Sequence, residues 1–140
     1  MSTSSPNDFN ARIIERFRAN GGQVGEPFER TPLLLLHHLG ARTGTERINP
    51  VAYLADGNRY VIFASKAGAP TNPGWYHNLR AHPDVTIEVG TDTLEATAHE
   101  ATGEERERLF GAMAERSPNF AEYQRKTDRL IPVIVLEPVS

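Results

Sequence analysis

Two runs rich in β-branched and aromatic residues, Glu46 to Ala55 and Arg59 to Ser65, meet at Asp56-Gly57. That junction suits an antiparallel hairpin and is far too short for a crossover helix. The neighbouring segments repeat the pattern. Leu33 to Leu39, set between Pro32 and Gly40, reads as a buried strand, and the turn Gly40 to Thr45 feeds it into the next one. Val85, Ile87 and Val89 alternate with Thr86 and Glu88, and Thr91-Asp92 turns that strand into Leu94 to Glu100. Pro132 to Pro138 supplies a last apolar strand, and Pro50 marks the second strand as an edge or a bulge. Strands joined by hairpin-length turns disfavour a doubly wound parallel sheet. They predict an α+β, mainly β, antiparallel barrel with helices packed outside.

The helices are legible from their spacing. Residues 1–7 read as a flexible tail. Phe9, Ile13, Ile14 and Phe17 then recur at helical intervals, predicting a helix over 8–20 that Asn7 or Asp8 caps and Gly21-Gly22 ends. This helix either packs on the barrel or lays Arg12, Arg16 and Arg18, beside Phe9, Ile13 and Phe17, on an anionic membrane surface at the inner face of the plasma membrane. Trp75 to Arg80 forms a short helix stopped by Pro83. Gly103 to Arg116 forms another, with Leu109, Phe110 and Met113 as its apolar stripe. Ser117-Pro118 restarts a helix through Phe120 and Tyr123, with serine as cap and proline in the first turn. With 140 residues and no long linker, residues 8–140 make one domain.

Composition narrows the chemistry. The absence of cysteine excludes disulfides, thiolate zinc sites, iron–sulfur clusters and cysteine nucleophiles. Fifteen Lys plus Arg against eighteen Asp plus Glu leave no basic excess, which argues against a nucleic-acid partner. No apolar run approaches the roughly 18 residues of a spanning helix, and the N-terminus lacks a signal pattern, so a cytoplasmic protein is expected. Nothing in the sequence sets an oligomeric state. His37 and His38 are adjacent in a strand and face opposite sides, and no His-Glu-x-x-His spacing occurs, so no metal site is expected.

Two segments concentrate functional groups. Gly40 to Pro50 carries Arg42, Thr43, Gly44, Arg47 and Asn49 on and beside a glycine-permitted turn. Forked guanidinium donors and outward amides suit an oxyanion, although an ordinary solvated hairpin has the same composition. Ala64 to Leu79 leaves a strand at Ser65 and Lys66, crosses a Gly/Pro loop, and enters at Gly74 a helix bearing Trp75. The indole is either a wall for a flat ring or a core plug.

In order along the chain, Gly40, Arg42, Thr43, Gly44, Arg47, Asn49 and Pro50 form a first motif. Ala64, Ser65, Lys66, Gly68, Ala69, Asn72, Pro73, Trp75, Tyr76, Asn78 and Leu79 form a second. Tyr123, Gln124, Thr127, Asp128, Arg129, Ile131 and Pro132 form a third. Together they resemble the deazaflavin-dependent nitroreductase family of actinobacteria, which have a split β-barrel. The resemblance implies binding of coenzyme F420, a hydride carrier that the protein positions. It places Arg42, Thr43, Gly44 and Arg47 on the phosphate and acidic tail, with Lys66 assisting. Asn49, Pro50, Ala64 and Ser65 would border the ring, with Gly74, Trp75 and Asn78 beside it. The acceptor it implies is a quinone or a nitro compound, with Tyr123, and secondarily Ser117, as hydrogen-bond donor to it. Family members carry tyrosines where this chain has Ser117 and Phe120, and a tyrosine at Ala52, beside which Tyr53 stands here. Local chemistry alone also fits FMN, which brings a phosphate and a tricyclic ring. The same barrel would also serve a carrier of F420, FMN or haem with little turnover.

Overall fold

A computed structural model describes residues 6–22 and 32–139. Helix α1 spans Pro6–Ala19, followed by strands β1 (Leu33–Leu39), β2 (Glu46–Asp56) and β3 (Arg59–Phe63). A single 3-10 turn, Lys66–Gly68, precedes α2 (Gly74–Ala81), β4 (Asp84–Val89) and β5 (Asp92–Ala101). Helices α3 (Gly103–Arg116) and α4 (Asn119–Lys126) lead to β6 (Val133–Pro138). The six strands close a barrel in the order β1-β2-β3-β6-β5-β4, and every ladder is antiparallel.

Alternation decides what each strand face meets. Leu34, Leu36, Ile62, Ile87 and Leu136 fill the barrel interior. Val61, Phe63, Val133 and Val135, on the outer face of β3 and β6, pack under α3 and α4 through Leu109, Phe110, Met113 and Phe120. Leu33 and Leu35 meet Ile13 and Phe17 of α1. Strands β1 and β6 are therefore covered on both faces, which is why they read as continuous apolar runs. Each fully buried Leu or Ile contributes on the order of 1.5–3 kcal/mol. Helix α2 closes one end of the barrel, with Tyr76 and Leu79 in the interior cluster and Trp75 against its rim.

Several expectations shift. Helix α1 begins at Pro6, so Asn7 and Asp8 lie inside it rather than in a tail or cap; the rest of the expected tail, residues 1–5, lies outside the described residues. Proline is at home in a first helical turn, where its missing N–H costs nothing. The β4–β5 hairpin turns at Gly90-Thr91 rather than Thr91-Asp92, because Gly90 takes the positive φ (59°) and Val89 pairs with Asp92. Ser117 does not cap α4 with its hydroxyl; it ends α3, its N–H donating to the Met113 carbonyl. Pro50 pairs with Leu35 of β1, while the β3 ladder begins only at Tyr53, so β2 is locally an edge there. Ile13 and Phe17 are 2% and 1% exposed, so these two residues of the face considered for lipid lie against the barrel, and the Phe9 side chain lies outside what is described. No helix among the described residues is long and apolar enough to cross a membrane.

Candidate functional site

The turn after β1 is organised by its own small residues. Gly40 N–H donates to the Thr45 carbonyl, and Gly44 N–H to the Gly40 carbonyl. Thr45 N–H donates to Thr43 Oγ1 at 3.2 Å. Gly44 sits at φ +68°, and a Cβ on Gly40 would come within 2.7 Å of Thr43 Oγ1. Thr43 thus braces the turn as an acceptor, leaving its O–H to donate outward. Arg42, Thr43, Gly44 and Arg47 are all exposed. No ion pair joins Arg42 or Arg47 to a carboxylate among the described residues.

This turn is tied to α2. Ala41 N–H donates to Asn78 Oδ1 at 2.9 Å, and Asn78 Nδ2 donates to His38 Nδ1 at 3.0 Å. The other ring nitrogen of His38 meets Asn49 Oδ1 at 2.7 Å. With Nδ1 accepting, Nε2 carries the proton and donates to Asn49, so the imidazole is neutral. Burial pushes the His38 pKa below the ordinary imidazole value, and the nearby Arg47 and His37 push the same way; the bond to Asn49 opposes them. His37 faces the opposite side of β1 from His38, as expected, and its Nε2 meets Glu88 Oε2 at 2.6 Å on the outer face.

The second motif is held from the third. Arg129 donates Nε to the Ala69 carbonyl (3.0 Å), Nη1 to the Ala64 carbonyl (3.0 Å) and Asn72 Oδ1 (2.7 Å), and Nη2 to the Ser65 carbonyl (2.8 Å). Inside this clamp Lys66 adopts φ +46°, a left-handed conformation uncommon for a residue with a side chain. Its exposed Nζ lies 3.3 Å from Thr71 Oγ1. Gly68, at φ +81°, lies so close to α4 that a Cβ would meet the Tyr123 carbonyl at 2.8 Å. Tyr123, half-buried with its ring edge-on to Phe120 at 5.4 Å, is thereby set beside the Lys66–Gly68 turn.

The expected site residues do not all converge. Asn49 and Asn78 share one hydrogen-bonded unit, and Ser65, Lys66 and Tyr123 flank one loop. Pro50 lies on the opposite face of β2 from Asn49, since its register partner Leu35 faces α1. The Ala64 side chain fills the barrel interior, its N–H donates to the Pro132 carbonyl and its carbonyl accepts from Arg129, so it offers a wall and no free polar group. Gly74 is exposed at the start of α2. Trp75 is half-buried, neither a sealed plug nor a free flag. Ser117 is half-buried at the α3–α4 corner, and Phe120 is buried in the outer core. Tyr53 packs on the interior cluster, edge-on to Tyr60 at 5.5 Å, while Ala52 faces the outer clusters.

Sequence reasoning misses two contributors: His38, weighed only as a metal ligand, and Arg129, seen only as part of a motif. Local composition carries no signal for either, since Asn49 and Asn78 lie 11 and 40 positions from His38, and Ala64 lies 65 from Arg129. A cavity of about 660 Å³ lined by residues including Glu100, Arg106, Leu130 and Pro132 shares no residue with the expected cofactor positions. Exposed cations on and beside a bend, an indole packed against the barrel cluster and amides held in fixed orientation fit an anionic, flat-ringed cofactor.

Comparison with known proteins agrees. The model of the F420H(2)-dependent quinone reductase family matches residues 11–138. An F420H(2)-dependent quinone reductase of Mycobacterium tuberculosis is 41% identical over 124 residues, covering 86% of this chain and 83% of that protein. A second M. tuberculosis protein, described as a putative F420H(2)-dependent quinone reductase, is 36% identical over 117 residues, covering 83% of this chain and 98% of its own length. A solved F420-H2 dependent reductase superposes with a TM-score of 0.71 at 42% identity, over 76% of this chain and 94% of that one. Matching in sequence across nearly the whole barrel and in fold, the chain belongs to the F420H(2)-dependent quinone reductase family.

Proposed function

We propose that this chain is an F420H2-dependent oxidoreductase that reduces a quinone-type small molecule, with nitro compounds as surrogate acceptors. When bound, the reduced deazaflavin supplies the hydride. The protein's own residues bind, orient and stabilise. Arg42 and Arg47, with the O–H of Thr43, hold the phosphate and acidic tail on the bend that Gly44 closes at positive φ, and Lys66 assists from its clamped loop. Asn49, Asn78, Ser65 and Trp75 border the ring and Gly74 gives room at the start of α2, whereas Pro50, on the opposite face of β2, and Ala64, fully buried in the barrel, support the site from behind. Tyr123 donates to the acceptor oxygen on which negative charge develops, and Ser117 is the secondary donor. The observation that carries this reading is that exposed Arg42 on the turn and Arg47 just after it on β2 make no ion pair among the described residues, while Asn78 and His38 join that turn to the Trp75 helix.

The test is oxidation of reduced F420 by a soluble quinone, followed through the returning absorbance of the oxidised cofactor. Turnover is expected, and Tyr123→Phe should lower kcat about tenfold or more while leaving the F420 Kd unchanged. Tight F420 binding without turnover across quinones and nitroaromatics would instead identify a carrier, and preferential binding of FMN would identify a flavoprotein. Any contact with an anionic membrane would use Arg12 and Arg16, which are exposed, rather than the buried Ile13 and Phe17. Sedimentation with anionic vesicles, lost in an Arg12→Glu, Arg16→Glu variant, is the check.

A further inference from the structure

We infer that His38 is a positioning residue for cofactor binding: its neutral imidazole holds Asn49 and Asn78 in one orientation, and its protonation releases Asn78 and the Gly40–Thr45 turn together. The inference builds on the proposed F420 site, because it concerns what keeps that site in register.

The chain of bonds is continuous. Asn49 sits on β2, His38 on β1, Asn78 on α2 and Ala41 in the phosphate-side turn. Each amide orientation follows from the next. Ala41 N–H requires the Asn78 oxygen on its side, which turns Asn78 Nδ2 toward His38. A donor there requires His38 Nδ1 to be bare, which puts the ring proton on Nε2, facing Asn49 Oδ1. The ring is 3% exposed and cannot exchange these partners for water. A second proton would land on Nδ1, where Asn78 Nδ2 already points, and two donors would then oppose each other.

No group around His38 compensates a positive charge among the described residues. Across the ladder β2 presents Arg47, the adjacent position on β1 is His37, and the exposed Glu46 of β2 lies 3.7 Å from His37 Nδ1 rather than against His38. Helix α2 meets the ring through the neutral Asn78 amide, while its His77 and Arg80 lie against the Tyr76 ring. On the other side of β1, β4 carries Glu88, whose carboxylate accepts from Arg18 and His37 on the outer face. The interior neighbours of β1 are apolar. Protonation is therefore met by breaking the Asn78 contact rather than by neutralisation.

The experiment uses the full chain. Nitrogen NMR of the histidine rings in the free protein should show His38 with Nδ1 bare and Nε2 protonated. Its titration should fall below the ordinary imidazole range, and the Ala41 amide and Asn78 side-chain amide signals should move with it. In parallel, F420 Kd is measured from pH 7.5 to 5 for wild type and His38→Gln. Glutamine offers one acceptor and one donor without a titrating proton. The cofactor's own ionisations are common to both proteins, so the ratio of wild-type to His38→Gln Kd is the readout, and it should rise about threefold or more as pH falls. His38→Asn, too short to span both partners, should weaken binding at every pH. A flat ratio, an Nδ1-protonated ring, or amide signals that ignore the His38 titration would overturn the inference. If the NMR behaves as stated and F420 does not bind, the relay stands and the cofactor reading fails instead.

Discussion

Among the described residues the Arg129 guanidinium donates to uncharged acceptors, three backbone carbonyls and the Asn72 amide oxygen, and burial lowers its pKa from the ordinary guanidinium value. A planar fork with several donors can serve all four acceptors; an ammonium on a flexible stem cannot. Arg129→Lys should therefore lower global stability by about 2 kcal/mol in urea titration, through carbonyls left without donors. It should also weaken F420 binding by loosening Lys66. Neither this role nor that of His38 is legible in sequence, because both residues act on partners far along the chain: Arg129 reaches back 60 to 65 positions to Ala69 and Ala64. By contrast, Arg42, Arg47 and Trp75 stand out as candidates by local composition, and Asn78 enters as one position of a motif. Phe120 as packing also follows from its helical spacing, whereas the place of Tyr123 beside the loop emerges only from the close approach of Gly68.

Among the elements, the Lys66–Gly68 turn and α4 are packed against each other without room for a side chain. Gly57, in the β2–β3 hairpin, has φ +63°, and a Cβ there would meet nothing within 4 Å, whereas Gly68 has φ +81° and a Cβ there would meet Tyr123 and Lys126. Both Gly57→Ala and Gly68→Ala incur the left-handed penalty of about 1–2 kcal/mol. Gly68→Ala should cost at least a further ~1 kcal/mol by thermal or urea unfolding, because α4 must move. Equal losses at the two positions would show that the turn does not bear on α4. Strand positions and the hairpin at Asp56-Gly57 are readable from alternation and turn residues. The Gly90-Thr91 turn and the start of α1 sit a residue or two away from where the hydrophobic pattern puts them, because glycine and proline act there on the backbone itself.

At the scale of the whole molecule, the barrel, the α1 brace and the polar relay share an acid limit. The Glu88 carboxyl is held below its ordinary value chiefly by the hydrogen bond from Arg18, with burial opposing it and His37 assisting; Asp56 is held low by Arg108 and Arg59. A carboxylate with a depressed native pKa binds its proton first in the unfolded chain. Its stabilisation is present above the ordinary carboxylate range and is lost as pH falls through the native value. His38 is also depressed, so the unfolded chain takes up that proton first, near pH ~6.5, and stability begins to fall there. Unfolding free energy should thus decline in two windows, one beginning near pH ~6.5 and one in the carboxylate range. The first should vanish in His38→Gln, with the pH dependence of urea midpoints as the measurement.

The most direct measurement is an anisotropy titration of F420 fluorescence with the purified protein, run alongside FMN and with the Arg42→Ala and Trp75→Ala variants. Clasping of the anionic tail by the first turn and of the ring by the indole requires a saturable rise with F420, weakened about tenfold by Arg42→Ala and measurably by Trp75→Ala. Unchanged anisotropy with wild type, or a curve that neither substitution moves, would contradict it.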